Sequence, residues 1–221
     1  LSGRPGPVNV DIPFNLFQEE AEIGIEAPFG GHNIRRSGAS PEDVARAADM
    51  ILAAKRPVLF IGHGVTLSEA GEELTALARG LGIPVLSSPN GMGCLDMEDP
   101  LSLGFIGRNG AYPANQAGRH ADLVIAVGAR FDDRSSSSWI DGYSWNFPRT
   151  KLIHVDVDHA ELGRNYPPDV GILADARTFL RQVLGEVGAR DAMTPEPLSA
   201  WRAEIAAWTQ DWEAFTAPNF E

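Results

Sequence analysis

The chain has 221 residues, 43% hydrophobic and 22% charged, which places it among globular proteins and excludes a disordered polymer. Its formal net charge of −12 repels a phosphate backbone and argues against nucleic acid as a partner. The single cysteine, Cys94, excludes an internal disulfide and a four-cysteine zinc site and fits a reducing, cytoplasmic compartment, and no apolar run approaches the ~20 residues of a membrane span.

The chain opens without Met and without a signal-peptide pattern. Gly3-Arg4-Pro5-Gly6-Pro7-Val8-Asn9-Val10-Asp11-Ile12-Pro13 reads as a Pro/Gly turn and a short strand closed by a proline that cannot donate to a ladder. No neighbouring strand follows until Pro57. The segment is therefore either an N-terminal arm or a strand whose partners lie upstream. Residues 14–39 are polar and Gly-rich, with Ala27-Pro28-Phe29-Gly30-Gly31, and read as a linker.

Ser40-Pro41-Glu42-Asp43 is a helix start: a serine cap, proline in the first turn, and acids at the positive end of the dipole. That helix runs to about Ala54. Pro57–Gly62 is a continuous apolar strand of the kind buried on both faces of a parallel sheet. Ala70, Leu74, Leu77, Ala78 and Leu81 mark the next helix, stopped by Gly82. Ile83–Ser87 is a second strand. Residues 88–121 are expected to be irregular, with a short helix near Ala114–Arg119. Leu123–Val127, Lys151–Asp156 and Val170–Leu173 are further strands. Ser135-Ser136-Ser137-Ser138 is expected to be a mobile loop. Asp175 caps a helix with the stripe Phe179, Leu180, Val183, Leu184 and Val187. Leu198, Trp201, Ile205, Trp208, Trp212 and Phe215 then recur at spacings of three and four. This last apolar face packs either on a neighbouring domain or back on its own sheet. Alternating strands and helices predict an α/β, doubly wound, Rossmann-like parallel sheet of five to six strands with helices on both faces.

In such a sheet ligands bind outside the carboxyl ends of the strands. Gly62-His63-Gly64 follows the first strand and lets a backbone approach a phosphate, but it is half a dinucleotide fingerprint: Leu67 holds the third glycine position. Ser88 and Asn90 in Ser88-Pro89-Asn90-Gly91 offer hydroxyl and amide groups. Gly107 opens a second Gly-rich loop. Gly128-Ala129-Arg130-Phe131-Asp132-Asp133-Arg134 is the most specific segment: Arg130 and Arg134 can hold a phosphate, with Asp132 orienting them, or the cluster can be a salt-bridged tie between loops. Asp156 and Asp175 end strands and serve either as acceptors for ribose-type hydroxyls or as caps. His63 reads as a turn residue and His154 as a core histidine. HExxH, CxxC, GxSxG and Gly-Asp-Gly patterns do not occur, so no catalytic and no metal-binding residues are assigned.

Taken in order, these segments resemble a family. Gly3–Val8 with Asp11-Ile12-Pro13 is similar to the last strand of the pyrimidine-binding domain of thiamine-diphosphate (ThDP) enzymes. Arg56–Leu59, Gly62–Val65, Gly82–Val85 and Asp99–Gly104 follow in the order of their central domain. Ala121–Arg134 and Ile153–Asp158 with Ala160–Arg164 resemble acetolactate synthase most closely. The resemblance implies a central domain over residues 40–190, with 1–13 a remnant of the preceding domain and 191–221 a helix and linker leading towards the diphosphate-binding domain. It implies ThDP and magnesium held by those other domains of the same chain, a homo-oligomeric parent (dimer or tetramer), and a transferase that decarboxylates a 2-oxo acid and joins the remainder to an acceptor. This fragment alone is expected to be inactive. It also implies a structural FAD whose contacts, by position, are Gly62, Gly64, Ser88, Asn90, Gly107, Gly128, Arg130, Asp132, Arg134, Asp156 and Asp175. Two loops depart from the family pattern, Arg108-Asn109-Gly110-Ala111 and Ser88-Pro89-Asn90-Gly91, which leaves FAD, ADP, CoA or nothing as the occupant. A free-standing nucleotide-binding module for FAD, ADP or NAD, and a purely structural spacer, are the competing readings.

Overall fold

The computed structural model describes residues 3–22, 24 and 36–219. Two compact units divide the chain at Arg36. In the first, Phe14–Gln18 forms a short 3-10 turn after Pro13. Residues 5–13 join no strand ladder, so the strand expected there is not formed, and Val8, Val10 and Ile12 are exposed. A lone strand leaves its amides to water, and only a partner makes it a strand. The Ala27–Gly31 stretch of the expected linker lies outside the described residues.

The second unit is a six-stranded sheet, all parallel, in the order β3-β2-β1-β4-β5-β6. The strands are β1 (Pro57–Ile61), β2 (Val85–Ser87), β3 (Ser102–Phe105), β4 (Leu123–Val127), β5 (Lys151–Asp156) and β6 (Val170–Leu173). Every residue of β1 and β4 is buried, as their unbroken apolar runs require. The helices are α1 (Pro41–Ala53), α2 (His63–Leu67), α3 (Gly71–Leu81), α4 (Tyr112–His120), α5 (Ala176–Ala189) and α6 (Ser199–Thr216).

Two apolar layers sandwich the sheet. One packs Ala47, Ile51, Leu74, Leu77, Phe179 and Val183 of α1, α3 and α5 against Leu59, Ile125 and Ile153. The other packs Ala114 and Ala117 of α4 and Trp201 and Ile205 of α6 against Val58, Phe60, Val124 and Leu152. Side chains alternate across the strands, so Leu59 and Phe60 serve opposite layers. α1 starts where the sequence says: Ser40 Oγ accepts the Asp43 amide at 3.1 Å, a cap that contributes about 1 kcal/mol. α3 stops at Gly82, whose φ of 68° is left-handed.

Three features differ from the sequence expectation. β3 lies in the stretch expected to be irregular; it is a four-residue edge strand, half-buried throughout and interrupted by Gly104, so it carries no apolar run. Ser135, Ser136 and Ser137 are buried rather than on a mobile loop. Asp132 Oδ1 accepts both the amide (2.9 Å) and the hydroxyl (3.0 Å) of Ser135, and Trp145 Nε1 donates to Ser135 O at 3.1 Å. α2, a single turn between β1 and α3, is too short to leave a periodic signal. The tryptophan helix α6 resolves one open question: its first half packs back on the sheet, where Trp201 Nε1 donates to Pro57 O at 3.1 Å.

Candidate functional site

Parallel strands with right-handed crossovers run the order of the sheet outward from β1 in one direction and from β4 in the other. The neighbouring exits of β1 and β4 therefore form the topological switch point, where crossovers leave to opposite faces and a crevice opens. Gly62 and Gly64 leave β1 there, and Gly128 leaves β4. Gly62 N donates to Val127 O and Gly64 N to Gly128 O, each at 3.1 Å. The glycines are needed because the two backbones touch: a Cβ on Gly62 would lie 2.1 Å from Gly128 O, and one on Gly128, whose φ is +58°, would lie 2.6 Å from Gly64 Cα. These glycines thus let one loop approach another, and their amides are engaged by protein.

Ser88 and Asn90 line the β2 side. Ser88 N donates to Ile61 O at 2.8 Å, and His63 Nδ1 donates to Asn90 O at 3.3 Å. A Cβ on Gly91 would sit 2.5 Å from Ile61 O, so this loop is pressed onto the end of β1. Gly107 follows β3 at a φ of +120°, with Arg134 O only 1.9 Å from where its Cβ would be, and the Arg108 amide donates to Arg134 O at 3.0 Å. The loops of Gly107 and Arg134 are therefore one assembly.

The Gly128–Arg134 loop is held from below by a ring cluster. Phe131 is 1% exposed, has a φ of 51°, and meets Phe60, Trp145, Phe147 and Tyr166. Its left-handed backbone is a strained conformation for a bulky residue and persists because the packing fixes it. With Phe131 pointing inward, Arg130 and Arg134 are left exposed. Among the described residues neither guanidinium has an ion-pair partner. The salt-bridged tie expected for this cluster is formed instead by Arg108 and Asp133 at 2.6 Å, while Asp132 faces Ser135 of its own loop.

Asp156 ends β5, one strand beyond Gly128, whose amide donates to Val155 O at 2.9 Å. It is buried, with Oδ1 accepting the Asp158 amide at 2.9 Å, and burial pushes its pKa above the ordinary carboxylate value. Asp175 is turned to a different duty. Its Oδ1 accepts the amide (3.0 Å) and hydroxyl (3.1 Å) of Thr178 as the α5 cap, and its other oxygen accepts from Ser68. The residues named from sequence thus gather in three clusters, Gly62/Gly64/Gly128 with Ser88 and Asn90, Gly107 with Arg130–Arg134, and Asp156 beside them; Asp175 caps a helix. A shallow depression of about 460 Å³ lies elsewhere, on α3 and the Cys94 loop, lined by Gly71, Glu72, Thr75, Ala76, Arg79 and Cys94. Among the described residues no group of acids, histidines or cysteines is arranged to hold a metal ion, and no helix is long and apolar enough to cross a membrane.

Two residues escaped the sequence reading. Asn115 and Ser144 are buried and knit the Gly107 loop to the serine turn. The one available signal was an asparagine in the first turn of a helix, where its amide can reach neighbouring backbone.

His154 is buried, as expected for a core histidine. Its Nε2 lies 2.8 Å from Ala129 O, which can only accept, so the proton sits on Nε2 and Nδ1 is bare and unpartnered. Burial pushes its pKa below the ordinary value, against the opposing pull of Ala129 O, Asp156 and Glu161. An unfolded chain takes up this proton first, near pH 6.5, so the contribution is intact above that value and is lost as pH falls through the folded pKa. Asp156, shifted up by burial, acts in the opposite sense, stabilising the fold as pH falls through its raised value. His154→Gln retains an amide donor for Ala129 O and removes the titration. Urea unfolding from pH 7.5 to 5.5 should show the unmodified chain losing more stability than the variant; parallel profiles would contradict the neutral assignment.

The comparisons with known proteins agree with this architecture. A family model described as thiamine pyrophosphate enzyme, central domain, matches residues 44–183. The chain is 37% identical over 191 residues to a probable acetolactate synthase large subunit of Methanococcus aeolicus, covering 84% of this chain and 31% of that protein. Against the acetolactate synthase isozyme 1 large subunit of Escherichia coli K12 it is 38% identical over 206 residues, 93% of this chain and 34% of the relative. A probable chloroplastic acetolactate synthase 2 of Oryza sativa subsp. japonica gives 38% over 213 residues, with 92% and 31% covered. The chain therefore spans about a third of the length of the relatives it matches. With six parallel strands in Rossmann-like order and a central-domain match from α1 into α5, the chain belongs to the thiamine pyrophosphate enzymes as an acetolactate synthase-like central domain.

Proposed function

We propose that residues 40–190 form a nucleotide-type cradle and interdomain scaffold within a ThDP-dependent 2-oxo acid carboligase. The observation that carries the cradle is the pair Arg130 and Arg134: two exposed cations without ion-pair partners among the described residues, beside the switch point, in a chain of net charge −12. Unpaired arginines on a packed loop suit the diphosphate of ADP or FAD, which they can grip through paired N–H donors. Asp156, at the next strand end, suits a hydroxyl-bearing sugar. The donor set fits the diphosphate half of the ligand; the Gly62 and Gly64 amides, already bonded, add nothing to it.

In this reading the chain's own residues bind and orient, and no bond is made on them. ThDP, when bound by the full-length enzyme, supplies the nucleophilic carbon for decarboxylation and carboligation, with magnesium anchoring its diphosphate through hard oxygen ligands. The chain alone carries no such activity.

The test is a titration of this chain with ADP and FAD, alongside the absorption spectrum of the purified full-length enzyme. Saturable ADP binding is expected, weakened about tenfold by Arg130→Ala and again by Arg134→Ala, with an unchanged unfolding midpoint because neither side chain supports the fold. Affinity indifferent to both arginines would refute the cradle. The interlocked glycines favour one second reading, a scaffold with an empty crevice. Absence of both ADP binding and flavin absorbance would establish it instead.

A further inference from the structure

The side chain of Asn115 does more than fill space in α4. Its Oδ1 accepts the Gly107 amide at 3.2 Å, and its Nδ2 donates to Gly107 O at 3.0 Å, so one carboxamide grips both the N–H and the C=O of a single residue. Oδ1 also accepts from Ser144 Oγ at 2.7 Å. Ser144 has one hydroxyl proton, and that bond uses it, so at the 2.7 Å contact between Ser137 Oγ and Ser144 Oγ the donor is Ser137. A directed relay results, from Ser137 to Ser144 to Asn115 to the Gly107 peptide. It is dry: Ser144 is 0%, Ser137 3% and Asn115 9% exposed.

Both ends of the relay touch the cradle. At one end Gly107 sits against Arg134 O, and the next amide, that of Arg108, donates to the same oxygen. At the other, Ser137, Ser138 and Trp139 form a left-handed turn with φ between 50° and 57°, which begins three residues after Arg134. Arg108 closes the circuit through Asp133 and Ser138, each at 2.6 Å. The Arg130–Arg134 loop is thus flanked by hydrogen-bonded partners on both sides, Gly107 and Arg108 on one and the serine turn on the other, and Asn115 and Ser144 link the two.

We propose that Asn115 is a positioning residue for the nucleotide cradle, setting the placement of Arg130 and Arg134 by clamping the Gly107 peptide to the serine turn. The proposal rests on the cradle reading above. It touches no ligand and acts through the loops that do.

The sensitive variant is Asn115→Asp. An ionised carboxylate still accepts from Gly107 N and Ser144 but repels Gly107 O; a protonated one donates to it and restores the asparagine pattern. Burial and the facing carbonyl both favour the protonated form, which brings its titration into an accessible range. ADP affinity is measured calorimetrically for the variant and the unmodified chain at pH 8 and pH 5, below the unfolding temperature of both, and expressed as a ratio at each pH so that the ligand's own titration cancels. The ratio should be about tenfold at pH 8 and fall to about threefold or less at pH 5, with hydrogen exchange at the Arg108 amide faster in the variant at pH 8. A merely structural role would lower the unfolding midpoint and leave the ratio near one at both pH values, which would overturn the proposal. Should Asn115→Asp not fold, Ser144→Ala removes one link and keeps the clamp; it should weaken ADP about threefold, and affinity equal to the unmodified chain would overturn the proposal. If the unmodified chain binds no ADP, the cradle reading fails and this proposal fails with it; binding by the unmodified chain with a flat ratio fails the proposal alone.

Discussion

Gly62→Ala should destabilise the domain by about 3 kcal/mol or more, enough to leave much of it unfolded at moderate urea. Overpacking usually costs less because a side chain swings aside. Here the added methyl would meet Gly128 O at 2.1 Å, Ala129 Cα at 2.6 Å and Gly128 C at 2.7 Å, all backbone. Relief requires the exits of β1 and β4 to separate, which breaks the bonds from Gly62 N to Val127 O and from Gly64 N to Gly128 O. Backbone freedom is not the issue, since Gly62 has an ordinary extended φ of −114°. A matched control is Gly185→Ala in the interior of α5, where nothing lies within 4 Å of the new Cβ; helix propensity alone should stabilise by up to about 1 kcal/mol. Urea unfolding of both variants reads the contrast. A Gly62→Ala chain within about 1 kcal/mol of the parent would mean that the two loops part easily and that their contact does not fix the exits of β1 and β4.

Trp201→Ala should cost about 3–5 kcal/mol. The indole is 2% exposed, donates to Pro57 O at 3.1 Å, meets Trp208 edge-on at 5.7 Å, and lies under the Arg56 guanidinium at 5.4 Å. Its loss removes a large buried area and leaves a buried carbonyl without its donor. Trp212, eleven residues on in the same helix, is 40% exposed and stacks on Tyr112 at 5.2 Å. Trp212→Ala should cost about 1 kcal/mol, the scale of a surface aromatic pair. Unfolding midpoints followed by circular dichroism distinguish the two. Equal effects would show that α6 is not anchored through its first half.

Much of the sheet was legible because its central strands are buried on both faces. Pro57–Ile61 and Leu123–Val127 have no polar residue to disguise them, and caps at Ser40, Gly82 and Asp175 mark helix ends by local chemistry. β3 was not legible, since a half-buried edge strand needs neither an apolar run nor strict alternation. The serine run misled for a related reason. Four serines look solvated, yet Asp132 and Trp145 bond to Ser135 and Ser144 bonds to Ser137, which permits the burial of both, while Ser138 stays exposed. The stripe on α6 showed which residues face inward and could not say against what. At the strand tips the glycines signalled close approach correctly, but the thing approached was another loop. That Arg130 and Arg134 stand on a loop after a buried strand was legible, while the absence among the described residues of an ion-pair partner for either depended on Arg108 taking Asp133, a contact spanning 25 residues that no local pattern encodes.

The most direct measurement is hydrogen exchange of this chain with and without saturating ADP. Protection should appear in the exits of β1 and β4, over residues 62–65 and 128–134, and extend through Gly107 and Arg108, while α3 and the Cys94 loop are unchanged. Protection centred on α3, or none in the Arg130–Arg134 loop, would contradict the placement of a nucleotide cradle at the switch point.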